Sequence, residues 1–195
     1  MIKGRFTCLV LMLLMSTISS VAQVINEEAR RRAEELVSEM TLEEKLSYIG
    51  GDDSDFGLRP IKRLGIPAIK MSDGPQGVND KNDTTTLYPC GIGLASTWNR
   101  NLAYRYGESL ASDAKARGIH IMLGPGVNIY RYPLCGRNFE YFGEDPYLTS
   151  ETAAEYIKGM QSKRVMAVIK HFCGNNSEWK RHNSSSDIDE RTLNE

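Results

Sequence analysis

Three short apolar runs, each closed by polar or glycine-rich punctuation, constrain this chain more than any other feature. Ile66-Pro67-Ala68-Ile69-Lys70-Met71 ends at Ser72-Asp73-Gly74-Pro75, Gly118-Ile119-His120-Ile121-Met122-Leu123 ends at Gly124-Pro125-Gly126, and Val165-Met166-Ala167-Val168-Ile169 ends at Lys170-His171. Runs this short, with no apolar–polar alternation, read as parallel strands buried on both faces. Helix-like stretches over 99–117 and 146–163 lie between them, the second started by Asp145-Pro146. Strand and helix alternating at this spacing call for a parallel sheet with right-handed crossovers, either an open doubly wound sheet or a (β/α)8 barrel.

The barrel is favoured. The first strand-to-helix turn lacks the glycine fingerprint of a dinucleotide site, and polar residues collect just after each strand, where barrel enzymes place their sites. A complete barrel needs ~250 residues. The expected fold class is therefore α/β, the N-terminal part of a (β/α)8 TIM-type barrel, incomplete in this chain, with its first three βα units over 66–195. Two amphipathic helices are expected ahead of them, within 23–65. The first runs from Glu27 to Met40, and the second starts at a Thr41/Glu44 capping box and stops at Gly50-Gly51. Residues 1–22 carry Lys3 and Arg5 before an apolar run from Phe6 to Met15 and end Ser20-Val21-Ala22, the order of a secretory signal peptide. The run is shorter than the ~20 residues that span a bilayer, so a secreted or periplasmic protein is expected, with no membrane contact after cleavage.

The formal net charge is −1, from 24 basic and 25 acidic residues spread along the chain. No electrostatic footprint for nucleic acid is visible, and the expected ligand is neutral or weakly charged. Cys8 leaves with the signal peptide, so Cys90, Cys135 and Cys173 remain. That odd number forbids complete internal pairing, and one bridge or three buried thiols are both open. Three stretches, Asn82-Asp83-Thr84, Asn175-Asn176-Ser177 and Asn183-Ser184-Ser185, match the glycosylation acceptor pattern, which matters only in a cell that glycosylates exported proteins.

At the three strand ends stand Asp73, then Arg137 in the run from Cys135 to Pro146, then Lys170-His171. A carboxylate among guanidinium, ammonium and imidazole donors suits a ligand with adjacent hydroxyls, because each hydroxyl both donates and accepts. A phosphate site would instead show a glycine-rich nest or helix start with no central carboxylate. On the residues alone, each has a plainer role open to it. Asp73 can shape the turn at Gly74-Pro75, Arg137 can pair with Glu140 or Glu144, and Lys170-His171 can lie in a solvated loop. Asp145 reads as a helix cap, Glu178 with Arg181 as an ion pair, and Asp187, Asp189 and Glu190 as a solvated helix start.

From Met40 to Glu195 the chain resembles glycoside hydrolase family 3. The matching pieces are Met40-Thr41-Leu42-Glu43-Glu44-Lys45, Asp73-Gly74-Pro75-Gln76-Gly77-Val78, Gly124-Pro125-Gly126-Val127-Asn128, Gly136-Arg137-Asn138 through Pro146, Lys170-His171-Phe172 with Asn175, Glu178 and Arg181, and Asp189-Glu190-Arg191-Thr192-Leu193. The resemblance implies a retaining, exo-acting β-glycosidase acting on an oligosaccharide or β-glucoside, without metal or organic cofactor, in which Asp73, Arg137, Lys170 and His171 hold the terminal sugar. It also implies that nucleophile and acid/base lie beyond Glu195, so that the chain as given is inactive. The family's N-acetylhexosaminidase branch carries an aspartate and histidine soon after the Lys-His-Phe motif. Here that segment reads Cys173-Gly174-Asn175-Asn176-Ser177-Glu178, which favours the β-glucosidase branch. Alternative readings are a β-xylosidase or other family 3 glycosidase, a non-catalytic secreted sugar-binding module, and a barrel enzyme acting on phosphosugars.

Overall fold

A computed structural model describes residues 27–54, 56–80 and 83–194. The expected signal peptide and the acceptor Asn82 lie outside them. The chain falls into two compact units, one taking the described residues up to Gly51 with Arg59–Pro67, the other Asp52–Leu58 with Ala68 onward.

In the first unit, helix α1 spans 27–39 and α2 spans Leu42–Ile49. The capping box expected at α2 is present. Thr41 Oγ1 accepts from the Glu44 N–H at 3.2 Å, and the Glu44 carboxylate accepts from the Thr41 N–H at 2.9 Å. Glu44 also receives Arg63 at 2.8 Å, which ties the start of α2 to the 3-10 turn Lys62–Leu64. Ile61 and Ile66 bridge antiparallel around that turn.

The second unit holds a four-stranded sheet in the order β1 (Gly57–Leu58), β2 (Ile69–Asp73), β3 (Ile121–Leu123) and β4 (Met166–Ala167). β1 lies antiparallel to β2, with Leu58 opposite Ile69. The β2–β3 and β3–β4 pairs are parallel, with Asp73 opposite Leu123 and Ile121 opposite Met166. Helices α3 (Gly91–Ala95) and α4 (Arg100–Ala116) connect β2 to β3, and α5 (Pro146–Ser162) connects β3 to β4. Asn99 caps α4 and Asp145 caps α5, with Pro146 opening the first turn of α5.

The parallel sheet and the crossover helices agree with the expected fold class, but the strands are shorter than the apolar runs. Ile66 is taken by its bridge to Ile61 and Pro67 has no N–H to give a ladder, so β2 starts only at Ile69. The expectation of strands buried on both faces also fails. Ser72 and Met122 are buried on one side, whereas Met166, Val168 and Ile169 are exposed. A closed barrel fills its interior with side chains from alternate strands, and the described strands form an open sheet instead.

The core lies between α4, α5 and the covered face of the sheet, around Leu110, Met122, Phe142, Tyr156, Met160 and Val165. α4 and α5 meet with almost no space between backbones. A Cβ at Gly107 would come within 2.0 Å of the Tyr156 carbonyl oxygen, and one at Gly159 within 2.0 Å of the Tyr104 carbonyl oxygen. α6 (Glu190–Asn194) follows the Asp189 carboxylate, which accepts from the Thr192 N–H at 3.0 Å.

Candidate functional site

β2 delivers Asp73 as its last residue, and the turn that follows is shaped for glycine. Gly74 has φ +124°, and a Cβ there would lie 1.8 Å from the Gly77 carbonyl oxygen. The turn is held from below by the core, where Tyr156 Oη donates to the Pro75 carbonyl at 3.0 Å. Asp73 Oδ1 accepts from the Gly74 N–H at 3.0 Å and from Lys170 Nζ at 2.7 Å, a contact between residues 97 positions apart. The carboxylate of Asp73 remains 45% exposed, whereas the Lys170 side chain is 13% exposed.

Lys170 reaches this place because the chain after β4 continues alongside the segment after β3. Its N–H donates to the Pro125 carbonyl at 3.0 Å and its carbonyl accepts from the Val127 N–H at 2.7 Å. The peptide bond between Lys170 and His171 is cis. The His171 N–H donates to Asn128 Oδ1 at 3.0 Å. The ring Nδ1 lies 3.1 Å from the same oxygen and 3.2 Å from Tyr141 Oη. Among the described residues nothing bonds to Nε2, so the ring is fixed through one nitrogen with the other available. Asn128, buried itself, also donates to the Asn175 carbonyl at 3.2 Å.

Arg137 precedes the 3-10 turn Asn138–Glu140, and its Nε pairs with the Glu140 carboxylate across that turn. Glu140 Oε2 lies 3.8 Å from Lys170 Nζ, and Arg137 Nη1 lies 4.0 Å from Glu178 Oε1. The charges therefore alternate as Asp73, Lys170, Glu140, Arg137, Glu178. Glu178 also receives Arg181 at 2.9 Å, the ion pair expected from the sequence.

This arrangement sets the protonation states. Burial works to raise the Asp73 carboxyl, but Lys170, the Gly74 N–H and Arg137 together hold it below the ordinary carboxylate range. The His171 imidazole is lowered, first by burial and then by the Arg137 and Lys170 charges. Burial alone would lower Arg137, and the Glu140 carboxylate outweighs it and keeps the guanidinium charged. Burial pushes the Tyr141 phenol up to about 12. These shifts keep Asp73 ionised, Arg137 charged and His171 neutral at neutral pH.

A cavity of about 390 Å³ opens at this end of the sheet, walled by the 73–80 and 85–87 segments with Arg137, Phe139 and Glu140. Of the residues singled out in the sequence, Asp73 and Arg137 line it. Lys170 and His171 do not, and Lys170 joins it through its pairing with Asp73 and Glu140. The sequence reading missed Glu140 and Asn128 as parts of the site. The signal for Glu140 is its three-residue spacing from Arg137, which fits a plain ion pair equally well. No group of three or more His, Cys, Asp or Glu among the described residues could hold a metal ion. Cys135 is buried while Cys90 and Cys173 are exposed, and all are free thiols, so neither a bridge nor a set of three buried thiols is present.

Comparison with known proteins places the chain in a family. The glycosyl hydrolase family 3 N terminal domain matches residues 52–195. Thermostable beta-glucosidase B of Acetivibrio thermocellus is 46% identical over 171 residues, covering 82% of this chain and 22% of its own length. Beta-glucosidase BoGH3A of Bacteroides ovatus is 47% identical over 166 residues, covering 77% of this chain and 22% of its own. Among solved structures, DesR, a beta-glucosidase from Streptomyces venezuelae in complex with D-glucose, superposes with a TM-score of 0.79 at 40% identity, over 84% of this chain and 22% of that one. The chain thus spans about a fifth of the length of the relatives it matches. The α/β architecture, the ordered motifs and these matches agree: the chain belongs to glycosyl hydrolase family 3.

Proposed function

We propose that this chain supplies the part of a retaining, exo-acting β-glucosidase that holds the terminal non-reducing β-D-glucosyl residue. On this reading, the carboxylates that break the bond lie outside these 195 residues. The observation that carries the reading is the Asp73–Lys170 contact of 2.7 Å at the mouth of a cavity whose wall also includes Arg137. A half-exposed carboxylate beside an ammonium offers an acceptor and a donor about one hydroxyl apart, the pattern that a vicinal diol requires. Arg137 presents a planar fork to a neighbouring hydroxyl, and His171 Nε2 adds one further neutral contact. None of these groups needs to change protonation during turnover. Their contribution is to fix the ring so that its anomeric carbon meets a nucleophile, which is positioning rather than bond breaking. The glucosidase relatives, one of them in complex with D-glucose, support glucose as the sugar held.

Asp73 is the carboxylate most open to a different reading, because it stands alone at a strand end as a nucleophile would. A retaining enzyme forms a covalent glycosyl intermediate on its nucleophile, so a slow fluorinated glucoside separates the two roles. The gene's full product, recovered from the periplasm or medium to which its amino-terminal run would send it, is expected to turn over an aryl β-glucoside. Trapping is expected to place the glycosyl label outside residues 1–195. A glycosyl adduct on Asp73 would make it the nucleophile and overturn the assignment, and sugar binding with no turnover would make the protein a binding module.

A further inference from the structure

We propose that Glu140 is a positioning residue, the counter-ion shared by Arg137 and Lys170 that sets where both cationic heads stand toward the ligand. The inference rests on the sugar-holding reading of the site. The Glu140 side chain is 5% exposed, and its two oxygens go separate ways, one to Arg137 Nε and the other to within 3.8 Å of Lys170 Nζ. A carboxylate removed from water to this degree persists only when paired, and here the pairing spans two of the groups assigned to the sugar.

The consequence is a division of each cation's donors. Without Glu140, the Lys170 ammonium would have, among the described residues, only the Asp73 carboxylate within 4 Å and would be placed by it alone. With it, the ammonium stays bonded to Asp73 at 2.7 Å and faces a second carboxylate 3.8 Å away, so its position is set from two sides. Arg137 likewise commits Nε to Glu140, which fixes the plane of the guanidinium and aims its outer nitrogens. The backbone keeps Glu140 in place. Gln76 Nε2 donates to the Phe139 carbonyl at 3.2 Å, linking the turn before Glu140 to the loop after Asp73. The Glu140 carbonyl packs directly on Gly91, where a Cβ would approach to 2.4 Å.

The test is a cycle in the gene's full product on an aryl β-glucoside and its monodeoxy analogues, with Glu140→Gln, Lys170→Met and the double variant. Losing one charged partner of a hydrogen-bonded group typically costs about tenfold or more. Glu140→Gln is expected to lower kcat/KM by about that factor on the parent glucoside, mainly through KM, and by less on the analogue lacking the hydroxyl that Lys170 holds. The double variant is expected to be no worse than the worse single, and Glu140→Asp to recover part of the loss. Losses that multiply between Glu140→Gln and Lys170→Met, and that are equal on every analogue, would show Glu140 to be merely structural and overturn the proposal alone. Unchanged kcat/KM in both Lys170→Met and Asp73→Asn would overturn the sugar-holding reading, and the role of Glu140 with it. If Glu140→Gln does not fold, Glu140→Asp enters the cycle in its place with the same outcomes.

Discussion

The α4–α5 pair and the charged row at the strand ends are both closely packed, and by opposite means. Between the helices, small residues let the backbones touch, with Gly107 facing the Tyr156 carbonyl and Gly159 facing the Tyr104 carbonyl, and Leu110, Ala111, Ala114 and Met160 are fully enclosed. In the row, packing is by charge, as Asp73, Lys170, Glu140, Arg137 and Glu178 alternate in sign. Apolar contacts of the first kind stabilise a fold in proportion to the surface they remove from water. Partly buried ion pairs of the second kind contribute little net stability, because desolvation offsets their attraction inside and solvent screens it at the surface. The helix pair is therefore where the unit is held together, and the row is where it presents chemistry. Damage to the two should separate cleanly into stability and ligand handling.

The largest effect that sharpens this contrast is expected at Leu110, which has no exposed surface. Leu110→Ala leaves a cavity between α4 and its neighbours and should cost about 3 kcal/mol by chemical denaturation, while KM for a β-glucoside in the folded enzyme stays unchanged. Gly107→Ala attacks the same interface from the other direction. Alanine is favoured in a helix by ~1 kcal/mol, but the added methyl meets the Tyr156 carbonyl, so a net loss of about 1–2 kcal/mol is expected from overpacking. A stabilised Gly107→Ala variant would show that the helices part easily and that the close approach is incidental. A shifted KM in folded Leu110→Ala would show that the core and the site are not separable.

The same contrast explains what the sequence revealed. α2, α4 and α5 were legible almost to the residue because their starts are written locally, in Thr41 with Glu44, in Asn99 and in Asp145-Pro146. β1 was not, because two residues paired with β2 leave no periodicity, and neither was the five-residue α3. The capping box and length of α2 do not say what covers its apolar stripe, and Leu42, Leu46 and Ile49 are exposed. At the site, residue types following strands pointed to Asp73, Arg137, Lys170 and His171. The contact between Asp73 and Lys170 depends on the register of β2, β3 and the chain after β4, which no local pattern encodes. Glu140 was hidden for a related reason, because an acid three residues from an arginine looks the same on a solvated turn as between two half-buried cations.

The smallest expected effect asks whether the row acts electrostatically as one unit. His171 is lowered by burial first and by Arg137 and Lys170 next, with Glu140 and Glu178 opposing them, and its ring also touches Tyr141 and Asn128. An ordinary imidazole titrates at about 6.5. Because the folded value lies below the unfolded one, His171 contributes stability that is fully present above about 6.5 and is lost as pH falls through the folded value. Lys170→Met removes one of the lowering charges while burial remains, so the His171 titration should move up toward the ordinary value and the acid loss of stability should shrink. Asp73 responds in the same sense, since Lys170 holds its carboxyl low, and its contribution to stability is likewise present at neutral pH and lost in acid. That second contribution is small because Asp73 is nearly half exposed and solvent screens it. The imidazole resonances of His171, separated from His120 and His182 by single substitutions, report the shift directly. An unchanged or lowered His171 titration in Lys170→Met would mean that solvent screens Lys170 from the ring, and the alternating charges would then be neighbours rather than a coupled row.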